Sequence, residues 1–190
     1  MLLITLALLA ATPVLGPATG ETVADTACPV HVPDKMPAQG RKSPLDSVTF
    51  TVGGQSVKVC YGRPSARGRV MLGGRNVPYG KLWRTGANEP TVFFTPIALS
   101  VAGVKVSPGT YALYTVPGEA EWQVIVNRST SQWGQEGYYT AEVAAQEVGR
   151  GRVASERIPD HIESFTIRSD SGVLILEWET TRVTIPVRPA

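Results

Sequence analysis

Val48-Thr-Phe-Thr-Val-Gly-Gly-Gln-Ser-Val-Lys-Val-Cys-Tyr61 is the stretch that decides the architecture. Val48, Phe50 and Val52 alternate with Thr49 and Thr51. Val57, Val59 and Tyr61 then alternate with Ser56, Lys58 and Cys60. Successive side chains of a strand point to opposite faces, so each run offers one apolar face to a core. Gly53-Gly54 between them supplies the positive φ that a two-residue turn needs. The stretch reads as a β-hairpin.

Working outward, the same pattern recurs. Thr91–Thr95 is a short β-prone run. Ile97–Val101 and Val104–Val106 flank a turn at Ala102-Gly103. Pro108-Gly109 leads into Tyr111–Val116, and Pro117-Gly118 into Trp122–Val126. Further strands are expected at Glu147–Ser155, Ser164–Ile167, Val173–Glu179 and Arg182–Val187, with Ser169-Asp-Ser-Gly172 as a turn. In Val173–Glu179, Leu174, Leu176 and Trp178 share a face, which predicts the core side. The opposite face carries Glu177 and Glu179, which read as surface. Only Ala141–Glu147 has the composition for a short helical turn. No window sustains a period of 3.6 residues. The expectation is a single all-β domain, an antiparallel β-sandwich or jelly-roll-like fold.

The chain has 190 residues, enough for one such domain with a hydrophobic core. Met1–Gly16 is apolar and uncharged, and is shorter than the roughly 20 residues of a spanning helix. It matches the apolar part of a secretory signal, although no Lys or Arg precedes it. Residues 1–24 are therefore expected to be a signal peptide, with no membrane span after its removal and a periplasmic or extracellular destination. Residues 25–44 are rich in proline and lack a period, which predicts a linker. The β domain is expected to run over 45–190. Cys28 and Cys60 form either one disulfide, as an exported chain permits, or two separate thiols.

The net charge of +2 is too small to argue for nucleic acid as a partner. Its distribution is more informative. No acidic residue stands between Asp46 and Glu89, while Lys58, Arg63, Arg67, Arg69, Arg75, Lys81 and Arg84 all do. The rest of the chain is therefore net acidic. Glycines at 62, 68, 73, 74, 80 and 86 mark this stretch as loop. Arginine offers a rigid fork of donors suited to carboxylates and phosphates. The candidate ligand-binding residues are Arg63, Arg69, Trp83, Arg84, Thr85, Asn88 and Glu89, with Trp83 as an apolar wall. The competing reading makes the same arginines structural, with Arg84 paired to Glu89.

Other chemistry is sparse. His31 and His161 are far apart and lack partners at metal-ligand spacing, so no metal site or cofactor is expected. His161 reads as a surface residue in a turn. There is no nucleophile elbow and no phosphate loop. Asn127-Arg-Ser129 has the form of a glycosylation sequon. Among the aromatics, Trp133, Tyr138 and Tyr139 sit in a Gly/Gln-rich loop and are the ones expected to be exposed.

Several motifs carry a resemblance. They are Tyr61-Gly-Arg-Pro-Ser-x-x-Gly-Arg69, Val77-Pro-Tyr-Gly-Lys-Leu-Trp-Arg-Thr-Gly-Ala-Asn-Glu89, Pro108-Gly-Thr-Tyr-Ala-Leu-Tyr-Thr-Val-Pro117, Glu121-Trp-Gln-Val-Ile-Val-Asn127, Gln132-Trp-Gly134 and Leu176-Glu-Trp-Glu179. With them, residues from about Ser43 to Val187 resemble the domain of unknown function 2911 family of exported bacterial proteins. The resemblance implies a single exported domain and supplies no substrate, catalytic residue or cofactor. Three functions stay open. The first is a binding protein for a small anionic or sugar-like ligand. The second is a hydrolase using Glu89 among arginines, and the third is an envelope protein without a small-molecule site.

Overall fold

The computed structural model describes residues 23–30 and 39–190. The expected leader lies almost wholly outside these residues. Nine strands follow in chain order: β1 (Leu45–Val52), β2 (Gln55–Gly62), β3 (Thr91–Thr95), β4 (Leu99–Val101), β5 (Val104–Val106), β6 (Gly109–Val116), β7 (Glu121–Asn127), β8 (Glu147–Asp170) and β9 (Val173–Pro189). All pairings are antiparallel, and the strand order is β1-β2-β3-β6-β7-β8-β9-β4-β5. The fold is all-β and sandwich-like. The founding hairpin is present as read, with Val52 opposite Gln55 across Gly53-Gly54.

Two expectations are corrected. The runs 147–155 and 164–167 are one continuous strand, β8, and the runs 173–179 and 182–187 are one strand, β9. The first half of β8 pairs with β7 and its second half with β9, while the end of β9 pairs with β4. One long hairpin thus turns the corner between the two layers, as bulged strands do in such packings. The turn has a visible cause. Between the pairs Arg157–Thr181 and Ile162–Glu179, β8 advances five residues while β9 advances two. Pro159 cannot donate to a ladder there, and Glu179 adopts φ 52°.

Alternation builds two apolar clusters. Between the layers lie Val57, Val59, Phe93, Leu113, Trp122, Val124, Leu176, Trp178 and Ile185. Trp83 joins them, stacked on Trp178 at 5.7 Å and edge-on to Phe165 at 5.0 Å. Tyr61 spans the layers: its hydroxyl accepts from the Ile167 amide and donates to Asp46, and burial pushes its pKa up to about 12. The opposite residues of the same strands, Cys60, Val92, Ala112, Tyr114 and Ile125, form the second cluster outside the sheet.

That outer cluster is covered by Cys28, from the stretch expected to be linker, and by Tyr139, from the loop expected to be exposed. Cys28 is bonded to Cys60, with Cα atoms 5.6 Å apart. Lys58 donates to the Thr26 carbonyl, and Arg63, Arg67 and Asn88 donate to the carbonyls of Pro44, Lys42 and Ser43. The described parts of the proline-rich stretch therefore lie against the domain. On the other side Tyr139 packs edge-on to Tyr114 at 4.8 Å. The expected helical turn is α1 (Ala141–Ala144), capped by the Thr140 side chain, which accepts from the Val143 amide. Tyr138 is exposed, whereas Trp133 and Tyr139 are half-buried.

Candidate functional site

The arginine-rich stretch divides into two regions in space. The first surrounds Glu89. Glu89 and its partner Arg41 meet in two hydrogen bonds of 2.7 and 2.8 Å, with side chains 3% and 1% exposed. Arg84 does not reach Glu89. It donates to the Asn88 carbonyl at 3.3 Å and faces Glu136 at 3.7 Å. Burial pulls its guanidinium below the ordinary value, and the Glu136 charge opposes that. Thr85 is fully buried and bonds to Thr115 and to the Trp83 carbonyl. The loop is cinched tightly: a Cβ on Gly62 would run into the Ala87 carbonyl.

Several expectations change here. Trp83 is 3% exposed and cannot wall a ligand site. It bonds to the edge of β6 through both backbone groups of Thr115, filling the place that β3 leaves open. Glu89 presents no free oxygen to solvent. Thr85 and Asn88 hold φ of 57° and 68°, strain retained by the surrounding bonds. Asn127 is fully buried with both amide ends bonded, so the sequon is closed in the folded chain.

The second region lies at the bend of the β8–β9 hairpin. Glu179 grips two consecutive backbone amides, Met71 at 3.0 Å and Leu72 at 2.8 Å. Glu163 accepts from the Arg67 amide at 2.6 Å. Both carboxylates hold the 66–72 loop against the bend and line a cleft of about 440 Å³ with Arg69, Val70, Tyr79 and His161. A second depression of about 350 Å³ shares Tyr79, Thr180 and Thr181 with it and adds Glu119, Glu156 and Arg157. Val70 is 69% exposed and Tyr79 39%, unusual for large apolar side chains in this chain. On the far side of Arg69 a basic depression of about 430 Å³ is lined by Lys42, Ser43, Pro64, Ser65, Arg67 and Arg69.

Of the seven expected residues, only Arg69 opens onto these depressions. Its Nε and one Nη donate to the Ala66 and Ser65 carbonyls, which fixes the fork in place. Arg63 bonds to Thr166 and faces Asp46 at 3.7 Å. Sequence reading missed Tyr79, His161, Glu163 and Glu179, which meet only because β8 bulges. Glu177 is not surface either. It is 7% exposed and bonded by Arg168 and Arg182, which hold its carboxyl below the ordinary value. Among the described residues, no group of three His, Cys, Asp or Glu side chains stands close enough to hold a metal ion.

Comparison with known proteins gives one family. The chain belongs to the family described as proteins of unknown function, DUF2911, which it matches over residues 43–187. No curated protein and no solved structure matches the chain.

Proposed function

We propose that this member of the DUF2911 family is an exported binding protein that takes the charged end of a small anionic ligand in the depression beside Arg69. The observation that carries the reading is the lining of that depression: three cations, two serines, a proline and no carboxylate. The cations are partly fixed in advance. Arg67 is tied to the Lys42 carbonyl and Arg69 to two loop carbonyls. Preorganised guanidinium forks lose little freedom when they meet a carboxylate or phosphate. Export is supported by the apolar N-terminal run and by the Cys28–Cys60 bond, since disulfides persist in oxidising compartments. The hydrolase alternative draws no support from Glu89, whose two oxygens both face Arg41.

The test is thermal denaturation at constant ionic strength with inorganic phosphate, citrate or glucuronate. A saturable rise in Tm is expected with at least one, and it should vanish in Arg67→Ala/Arg69→Ala. Equal shifts in the double variant, or none with any of the three anions, would sink the reading.

A further inference from the structure

The two depressions that meet at Tyr79 are chemically unlike the basic one. Their walls carry Glu119, Glu156, Glu163 and Glu179 against Arg69 and Arg157. An anion would be repelled by that excess of carboxylates. The ring of Tyr79 is the joint between the depressions, and its posture is set by a glycine. A Cβ on Gly73 would come within 2.6 Å of the ring, so the ring packs against the bare Cα, and Tyr79 as a whole stays 39% exposed. Gly73 has φ 74° and its amide donates to the Val77 carbonyl, which closes the loop that carries Tyr79. Glu179 lines the first depression beside Tyr79 and Glu119 the second, and after burial their charges raise the Tyr79 pKa.

Around this platform the acceptors are open. Glu119 makes no bond among the described residues, and only one oxygen of Glu163 is engaged, by the Arg67 amide. Thr180 and Thr181 add hydroxyls along the wall shared by both depressions. A partly exposed aromatic ring with carboxylate acceptors and hydroxyls beside it suits the apolar face and hydroxyl edge of a pyranose ring. Each depression falls within the range of about 300–1,000 Å³ typical of small-ligand sites. A ligand that occupies both must run past the ring on either side.

We infer that the groove through Tyr79 binds an uncharged linear oligosaccharide, with one sugar stacked on Tyr79 and its neighbours bonded to Glu119 on one side and Glu163 on the other. The groove shares Arg69 with the basic depression but is otherwise lined by different residues, so Tyr79 and Arg67 each report on one site alone.

The experiment is isothermal titration of the full chain with cellohexaose and chitohexaose, and with glucose and N-acetylglucosamine for comparison. Saturable binding of at least one hexasaccharide is expected, at least tenfold tighter than its monosaccharide. Tyr79→Ala should weaken it by at least tenfold and Tyr79→Phe by less than threefold, because the ring carries the contact. Arg67→Ala should leave it unchanged, which separates this site from anion binding. Three results would each overturn the inference: no binding of either hexasaccharide at millimolar concentration, equal affinity for monomer and hexamer, or full binding by Tyr79→Ala. Circular dichroism on each variant confirms that a loss of binding is not a loss of fold.

Discussion

Glu89 and Glu179 are both carboxylates that pin a loop of the arginine-rich stretch, but they pin it in different ways. Glu89 is met by a guanidinium brought in from Arg41, and the pair is sealed. Glu179 is met by two backbone amides, and its surroundings stay open as the wall of a cleft. Both regions hold residues at positive φ, Thr85 and Asn88 in one, Arg67 and Glu179 in the other. Strain therefore does not separate them. What does is the source of the counter-charge. A long cation covers the carboxylate it neutralises, whereas amides satisfy a carboxylate from one side and leave the rest of the site to solvent.

The contrast breaks most visibly at Glu89. Glu89→Gln removes the carboxylate that faces the buried Arg41 guanidinium, which costs about 3–5 kcal/mol, read as a lowered urea midpoint with unchanged slope. A loss under about 1 kcal/mol would mean the pair is not closed. The disulfide is the second support of the shut side. Cys28→Ser/Cys60→Ser should cost about 2–4 kcal/mol in the same assay, for a link across 32 residues. On the open side, Glu179→Ala strands two amides and is expected to cost about 1–3 kcal/mol. A cost equal to that of Glu89→Gln would erase the distinction.

Acid provides a smaller and more selective test. Arg168 first, then Arg182, holds the Glu177 carboxyl below its ordinary value of 4.5. Its contribution to stability is full above that value and disappears as pH falls through the lowered one. Wild type should therefore lose more stability than Glu177→Gln between pH 7 and pH 3 in urea titrations. Equal losses would contradict the pairing. The smallest effect belongs to the cleft rim. Val70→Ser, at a residue 69% exposed, should move stability by less than about 0.5 kcal/mol.

The strands were legible because their signals are local. Gly53-Gly54, Ala102-Gly103 and Ser171-Gly172 fall at turns, the last narrower than the four residues expected because Ser169 and Asp170 already pair with β9; positive φ and alternation need only neighbouring residues. The two long strands were not, because a bulge at Pro159 reads in sequence as an ending. The candidate site was legible as charge and mislaid as geometry. The partner of Glu89 lies 48 residues away in a segment that looked like a tether. Trp83 looked like a ligand wall because it sits among glycines and arginines, yet its backbone completes the edge of β6. Tyr79 lay inside a motif already singled out, Val77-Pro-Tyr-Gly80. Its exposure depends on Gly73, six residues earlier, and on a bend formed more than 80 residues later.

The long hairpin also bears on how the molecule comes apart. A single covalent strand, β8, lies in one layer over its first half and in the other over its second. A slip of one residue in β8 would turn apolar side chains outward in both layers at once, so its register is checked twice. Neither layer can melt while the other keeps its shape, because they hold the same backbone in common. Heat should therefore unfold this chain in one step, with tryptophan fluorescence and far-ultraviolet dichroism tracing the same curve.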